Sequence, residues 1–225
     1  LGTFILWLGW FGFNGGSQLA MATKEDVNAI SAVFANTNIA AAAGAITAAI
    51  LTQYLYKKID LTMILNGALA GLVSITAGPD YPSMGLAIII GTIGAGFAVI
   101  AIPMFDKVKI DDPVGALSVH LVAGIWGTLA VGIFKPDVSF VSQLIGVGII
   151  GAFVFWVSFI SWYIIKRVIG LRVSLEEEIG GIDVAEYAHT AYTIGQGEFV
   201  TQKEFKEYNG NKEKYASALT KTVTG

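Results

Sequence analysis

Val114-Gly-Ala-Leu-Ser-Val-His-Leu-Val-Ala-Gly-Ile-Trp-Gly-Thr-Leu-Ala-Val-Gly-Ile-Phe134 is an apolar run interrupted by a single ionisable side chain, His120. The run is long enough to cross the hydrocarbon of a bilayer as a helix, which takes roughly 20 residues. An ionisable group at such depth is costly and usually faces a bundle interior or a pathway. Imidazole can donate, accept or pass a proton near neutral pH. His120 therefore reads either as a proton-handling group or as a packing histidine bonded to a neighbouring backbone or hydroxyl group.

The rest of the chain extends this pattern. Hydrophobic residues are 54% of the sequence and charged residues 14%, against roughly 45–50% and 25% in soluble domains. The mean hydropathy is +0.66. Six apolar spans are read at about Leu1–Ala20, Ala29–Tyr56, Leu61–Gly78, Met84–Phe105, Val114–Phe134 and Val141–Ile169. The fold class is therefore an all-α polytopic membrane protein. Residues 1–169 are its transmembrane region and 170–225 a polar cytoplasmic tail, whose end reads as disordered or as a short amphipathic helix. The first residue already lies in an apolar span, with no Met and no signal-peptide n-region before it. That start suggests an internal helix of a chain trimmed at its N-terminus.

Basic residues set the orientation. Lys57, Lys58, Lys107, Lys109, Lys166, Arg167 and Arg172 fall on one side, against only Lys24 and Lys135 on the other. The positive-inside rule places both chain ends in the cytoplasm. The chain has no cysteine, which excludes disulfides and thiolate metal sites. It has no dense basic patch of the kind that binds nucleic acid. No GxSxG nucleophile motif occurs, His120 has no carboxylate partner in its span, and His189 in the tail has no metal-like spacing to a second ligand. No catalytic residue, metal or cofactor is expected.

In the first span Leu6, Trp10, Phe13 and Ser17 follow i, i+4, i+7, i+11 spacing and share one helical stripe. The stripe is either packing or an aromatic face that, with a hydroxyl acceptor, suits a small cation. Asn14 reads as structural, satisfying backbone groups among the surrounding glycines. Ala116 and His120 lie one turn apart on a common face. Asp111 and Asp112 read as capping residues ahead of Pro113. Asn66 could cap, bond between helices or face a pore. Gly67, Gly71, Gly91, Gly94 and Gly96 mark close helix packing.

Four of these stretches together resemble the Amt/MEP/Rh ammonium transporter family, in its microbial Amt branch. They are Gly9-Trp-Phe-Gly-Phe-Asn-Gly-Gly-Ser17, Asn66-Gly-Ala-Leu-Ala-Gly-Leu-Val73, Asp111-Asp-Pro-Val-Gly-Ala-Leu-Ser-Val-His120, and Gly170-Leu-Arg-Val173 with Glu176-Glu-Glu178. The resemblance runs from Leu1 to about Tyr192. It implies the ammonium-transporter fold of two inverted five-helix repeats and a long tilted eleventh helix, with this chain covering spans six to eleven and the tail. It also implies a homotrimer in the plasma membrane, with one pore per subunit for ammonium moved as ammonia plus a proton.

By the same resemblance, Phe13 belongs to the phenylalanine gate and Ser17 to the external recruitment site. His120 is the second member of a pore histidine pair, and Leu6, Trp10, Leu69 and Ala116 line the pore. The tail from Gly170 to Tyr192 is implied to contact neighbouring subunits and a P-II signalling protein, although Glu186-Tyr-Ala-His189 replaces the family's usual acidic-His-Gly run. A chain with only these spans holds half of a pore. The competing functional class is an ammonium sensor read out through the tail.

Overall fold

The computed structural model describes residues 1–187, excluding the side chains of Glu176 and Ile179. His189 and the stretch expected to be disordered or amphipathic lie outside the described residues. The chain divides into two compact units, residues 1–156 and 157–225.

All regular structure among the described residues is helical. The helices are α1 (Gly2–Gly16), α2 (Lys24–Tyr56), α3 (Leu61–Thr76), α4 (Met84–Lys107), a π-helical turn (Leu117–Val122) running into α5 (Ala123–Phe134), and α6 (Phe140–Val168). Two short helices follow in the tail, α7 (Leu175–Gly180) and α8 (Ile182–Tyr187).

Four helices are long and apolar enough to cross a membrane: α2, α4, the π turn with α5, and α6. The expected first and third spans form shorter helices of 15 and 16 residues. At 1.5 Å per residue these reach only about 22–24 Å, short of the roughly 30 Å hydrocarbon thickness. Local chemistry explains the boundaries. α1 ends where Gly15-Gly16 gives way to Ser17, whose backbone N–H bonds back to Asn14 and Gly15. α3 starts after Asp60, whose side chain accepts from the N–H of Met63. α2 begins five residues before the apolar run because Thr23 and Asp26 form a reciprocal capping box that draws Lys24–Asn28 into the helix.

The core of the first unit is built from small residues where α2, α3, α4 and α5 meet. One cluster joins Ala40, Ile75, Ala87, Ile90 and Ala130; another joins Ala70, Ala95, Ala98, Val119 and Ala123. Ala40 is a crossing point: a Cβ at Gly71 of α3 or at Gly91 of α4 would run into its carbonyl oxygen. Such backbone approach favours helix association in lipid, where burial of apolar surface drives nothing. Gly67 likewise faces the Gly44 carbonyl of α2, Gly94 packs against the Ser74 side chain, and Gly96 is not tightly packed, since a Cβ there would meet only Leu51 at an ordinary 3.9 Å.

Buried polar side chains tie the helices together. Asn36 donates to the carbonyls of Pro79 and Pro82 at 3.0 and 2.8 Å, fixing the α3–α4 loop on α2. The Trp126 indole donates to the Ile90 carbonyl at 2.9 Å. Asn14 serves the same purpose and corrects the expectation that it satisfies backbone among the glycines: its amide donates to Thr37 Oγ1 at 3.0 Å, joining α1 to α2. It can do so because both side chains are buried, where an unpaired amide is costly.

Candidate functional site

The backbone that carries His120 is not α-helical. Residues Leu117–Val122 form a π-helical turn, with His120 in its second half. Such turns occur mostly as single insertions within α-helices, often at functional sites. The chain enters this turn through Gly115, at φ +72°, a conformation that favours glycine. The Asn66 side chain sits against that glycine, and a Cβ there would lie 2.9 Å from Asn66 Nδ2. Asn66 is thus a neighbour of the entry to the turn.

Of the two acidic residues expected to cap, Asp112 supplies the observed bonds. Its oxygens accept from the N–H groups of Leu117 and Ser118 at 3.0 and 3.1 Å and from the Ser118 hydroxyl at 3.1 Å. Burial is the largest single influence on this carboxyl and pushes its pKa up. The bonds from Leu117, Ser118 and Ala116 together outweigh it and hold the group below the usual carboxylate range. Ser118 is fully buried.

The stripe on α1 meets this turn through Trp10. Its ring lies nearly parallel to the His120 imidazole, 11° from coplanar with centroids 6.4 Å apart. Phe13 meets Trp10 edge-on at 5.9 Å, a favoured aromatic geometry. One turn further on, the Ser17 hydroxyl donates to the Phe13 carbonyl at 2.9 Å. With its hydrogen committed to the backbone, Ser17 presents lone pairs, which accept from a cation's N–H.

The structure therefore brings Ser17, Phe13, Trp10 and His120 into one run of contacts. Ser17, Phe13 and His120 are exposed along it, and so are Leu6 and Ala116. Leu69 differs: it is half-buried and packs on the cluster that contains Val119 and Ala123, beneath the His120 turn. Among the described residues no group of three or more His, Cys, Asp or Glu could hold a metal ion.

Two contributors were not legible in the sequence. Thr76, the last residue of α3, accepts from the Trp10 indole N–H at 2.7 Å and donates to the Leu72 carbonyl at 2.7 Å. It lies 66 residues from Trp10, and an isolated threonine in an apolar helix carries no signal of such a partner. Ser118 is the other, hidden because periodicity does not distinguish a π turn from an α turn in an apolar run.

Comparison with known proteins bears on this geometry. Residues 1–192 match the Ammonium Transporter Family profile. The chain is 42% identical over 212 residues to ammonium transporter Amt2 of Archaeoglobus fulgidus, covering 85% of this chain and 44% of that protein. It is 40% identical over 195 residues to the putative ammonium transporter sll1017 of Synechocystis, covering 84% and 44%. A solved structure described as a sensor Amt protein superposes with a TM-score of 0.76 at 38% identity, covering 83% of this chain and 48% of that one. Mep2 of Candida albicans superposes with a TM-score of 0.72 at 27% identity, covering 83% and 46%. The chain thus spans about half the length of the relatives it matches, and Amt2 and sll1017 are named as transporters and not as enzymes. With its family profile, its apolar helices and its fold in agreement, this multi-pass membrane chain belongs to the ammonium transporter family.

Proposed function

We propose that the face formed by Ser17, Phe13, Trp10 and His120 is one wall of a conduit that moves ammonium across the plasma membrane as ammonia plus a proton. The observation that carries this reading is the unbroken run of contacts from an acceptor hydroxyl, through two aromatic rings, to an imidazole. Ser17 and the neighbouring ring of Phe13 recruit the cation by a hydrogen bond and by attraction to the ring face. Taking that cation into an apolar lumen would forfeit solvation on the order of tens of kcal/mol, whereas neutral ammonia crosses cheaply. One N–H bond therefore breaks, its electron pair stays on the ammonia nitrogen, and the proton passes to a ring nitrogen of His120. Ammonia then follows the apolar side chains of Leu6, Leu69 and Ala116. The opposite wall, with a second imidazole, would come from the part of the relatives' length that this chain does not span.

The same reading takes residues 1–169 as six spans and 170–225 as a cytoplasmic tail, supported by the one-sided distribution of Lys and Arg. It takes the assembly as a homotrimer, with α7 and α8 in the tail segment offered to neighbouring subunits and to a P-II signalling protein.

An ammonium sensor signalling through the tail is the second reading, favoured by the resemblance to the sensor Amt structure. Full-length protein in proteoliposomes separates the two. Transport predicts an ammonium-evoked current that His120→Ala abolishes or opens to potassium; wild-type current and selectivity in that variant would remove His120 from the mechanism. Ammonium binding with no current in the wild type would favour the sensor.

A further inference from the structure

The hydroxyl of Ser17 is bonded inside its own segment, to the Phe13 carbonyl, and so does not fix Ser17 against any other helix. Its neighbours do. Three residues earlier, Asn14 donates to Thr37 Oγ1 of α2. One residue later, the Gln18 amide donates to Asp26 Oδ1 in the first turn of α2, at 3.1 Å. The second tie closes a turn that is under strain. Leu19 sits at φ +59°, a left-handed conformation that crowds its Cβ against the backbone. At 93% exposure, packing does not hold it there.

Asp26 does more than a cap requires. In a capping box the acidic side chain needs one oxygen, to reach back to the N-cap residue. Asp26 Oδ2 meets that need, accepting from the Thr23 N–H at 3.2 Å and from its hydroxyl at 2.7 Å. Thr23 Oγ1 accepts in turn from the Asp26 N–H at 3.1 Å. These bonds set the rotation of the carboxylate and leave Oδ1 directed at Gln18. The turn that starts α2 ahead of its apolar run thus grips the chain just beyond Ser17.

We propose that Asp26 is a positioning residue for cation capture: through Gln18 it holds the turn that carries Ser17, and so sets how readily ammonium is taken up at the outer mouth. The inference rests on the reading of Ser17 as the recruiting hydroxyl. Asp26 acts on capture and not on proton transfer to His120, so it governs the ammonium concentration at half-maximal current and leaves the maximal current alone. A hydrogen bond to a carboxylate is strong, but this one is only partly shielded from water, which limits the effect to several-fold.

Full-length protein in proteoliposomes, with evoked current followed against ammonium concentration, tests the assignment. Gln18→Ala and Asp26→Ala should each raise the half-saturating concentration several-fold, with maximal current near wild type. Gln18→Glu sets two carboxylates against each other and should raise it too. Gln18→Glu/Asp26→Asn restores the bond with donor and acceptor exchanged and should bring the value back towards wild type. A fall in Gln18→Glu would overturn the proposal, because negative charge at the mouth would then be attracting the cation without any positioning. A shift in Glu25→Gln equal to that in Asp26→Ala would do the same, as would a lower maximal current at unchanged half-saturation in Gln18→Ala. Ser17→Ala separates this inference from the reading beneath it. A shift in Ser17→Ala with none in Gln18→Ala removes the positioning role and keeps the recruiting hydroxyl; no shift in Ser17→Ala removes both. In the Ser17→Ala background Gln18→Ala should add nothing, and a further shift there would show that Gln18 acts by another route.

Discussion

Asp112 reaches Ser118, six residues on, through both the backbone N–H and the hydroxyl, while its other oxygen holds the N–H of Leu117. An ordinary N-cap side chain reaches only two or three residues ahead. The longer reach suits a helix that starts wide and sets the backbone on which His120 stands.

Replacing Asp112 by Asn should therefore cost about 1–2 kcal/mol, since bonds to a charged group are lost at a partly exposed site. The carboxyl is held below its unfolded pKa, so its stabilisation is present above the ordinary carboxylate range and disappears as pH falls through the lower folded value. Melting temperatures of wild type and Asp112→Asn in detergent should differ at pH 7 and converge in acid. A gap that persisted below both values would assign the loss to packing and not to charge.

Gly115 admits no side chain without strain. Gly115→Ala imposes a left-handed conformation on a residue with a Cβ, costing about 1–2 kcal/mol, and brings that Cβ against Asn66. Adding Asn66→Ala should recover only the steric part of the loss in a thermal shift assay. Full recovery would show that the backbone conformation at this position is not limiting.

The Trp10 indole depends on Thr76. Thr76→Val leaves the indole N–H without its acceptor, at about 1–3 kcal/mol, whereas Thr76→Ser keeps both hydrogen bonds. In proteoliposomes the valine variant should lower ammonium-evoked flux several-fold and the serine variant should stay near wild type. Equal flux in both would mean that Trp10 is held by its ring contacts alone.

Asn14 and Thr37 form a buried pair between α1 and α2. Asn14→Ala leaves a buried hydroxyl with one partner fewer, and Thr37→Val leaves a buried amide with none. Each single change should cost about 1–3 kcal/mol, and the double variant less than their sum. Additive losses in chemical denaturation would show that the two side chains act separately.

Much of this architecture is legible in the sequence because apolar length and capping chemistry are local. Asp60 with Met63 stands at the start expected for α3, whereas Thr23 with Asp26 starts α2 five residues ahead of the apolar run read from the sequence. The stripe of Trp10, Phe13 and Ser17 follows from helical spacing, and its contacts conform to it. The partners of these residues are another matter. Thr37 lies 23 residues from Asn14 and Thr76 lies 66 from Trp10, and no periodicity encodes which helices meet. The short reach of α1 and α3 was hidden because apolar composition continues beyond the last helical hydrogen bond.

The π turn also makes this wall sensitive to counting. It accommodates one residue more than an α-helical turn, so losing Leu121 would let the helix close into regular α geometry with its hydrogen-bond ladder intact. The helix would survive, but everything before the deletion would swing about 100° relative to α5. Such a protein would fold, insert and be recognised as a member of its family, with the imidazole aimed away from Trp10. In this segment, chain length specifies chemistry as surely as residue identity does.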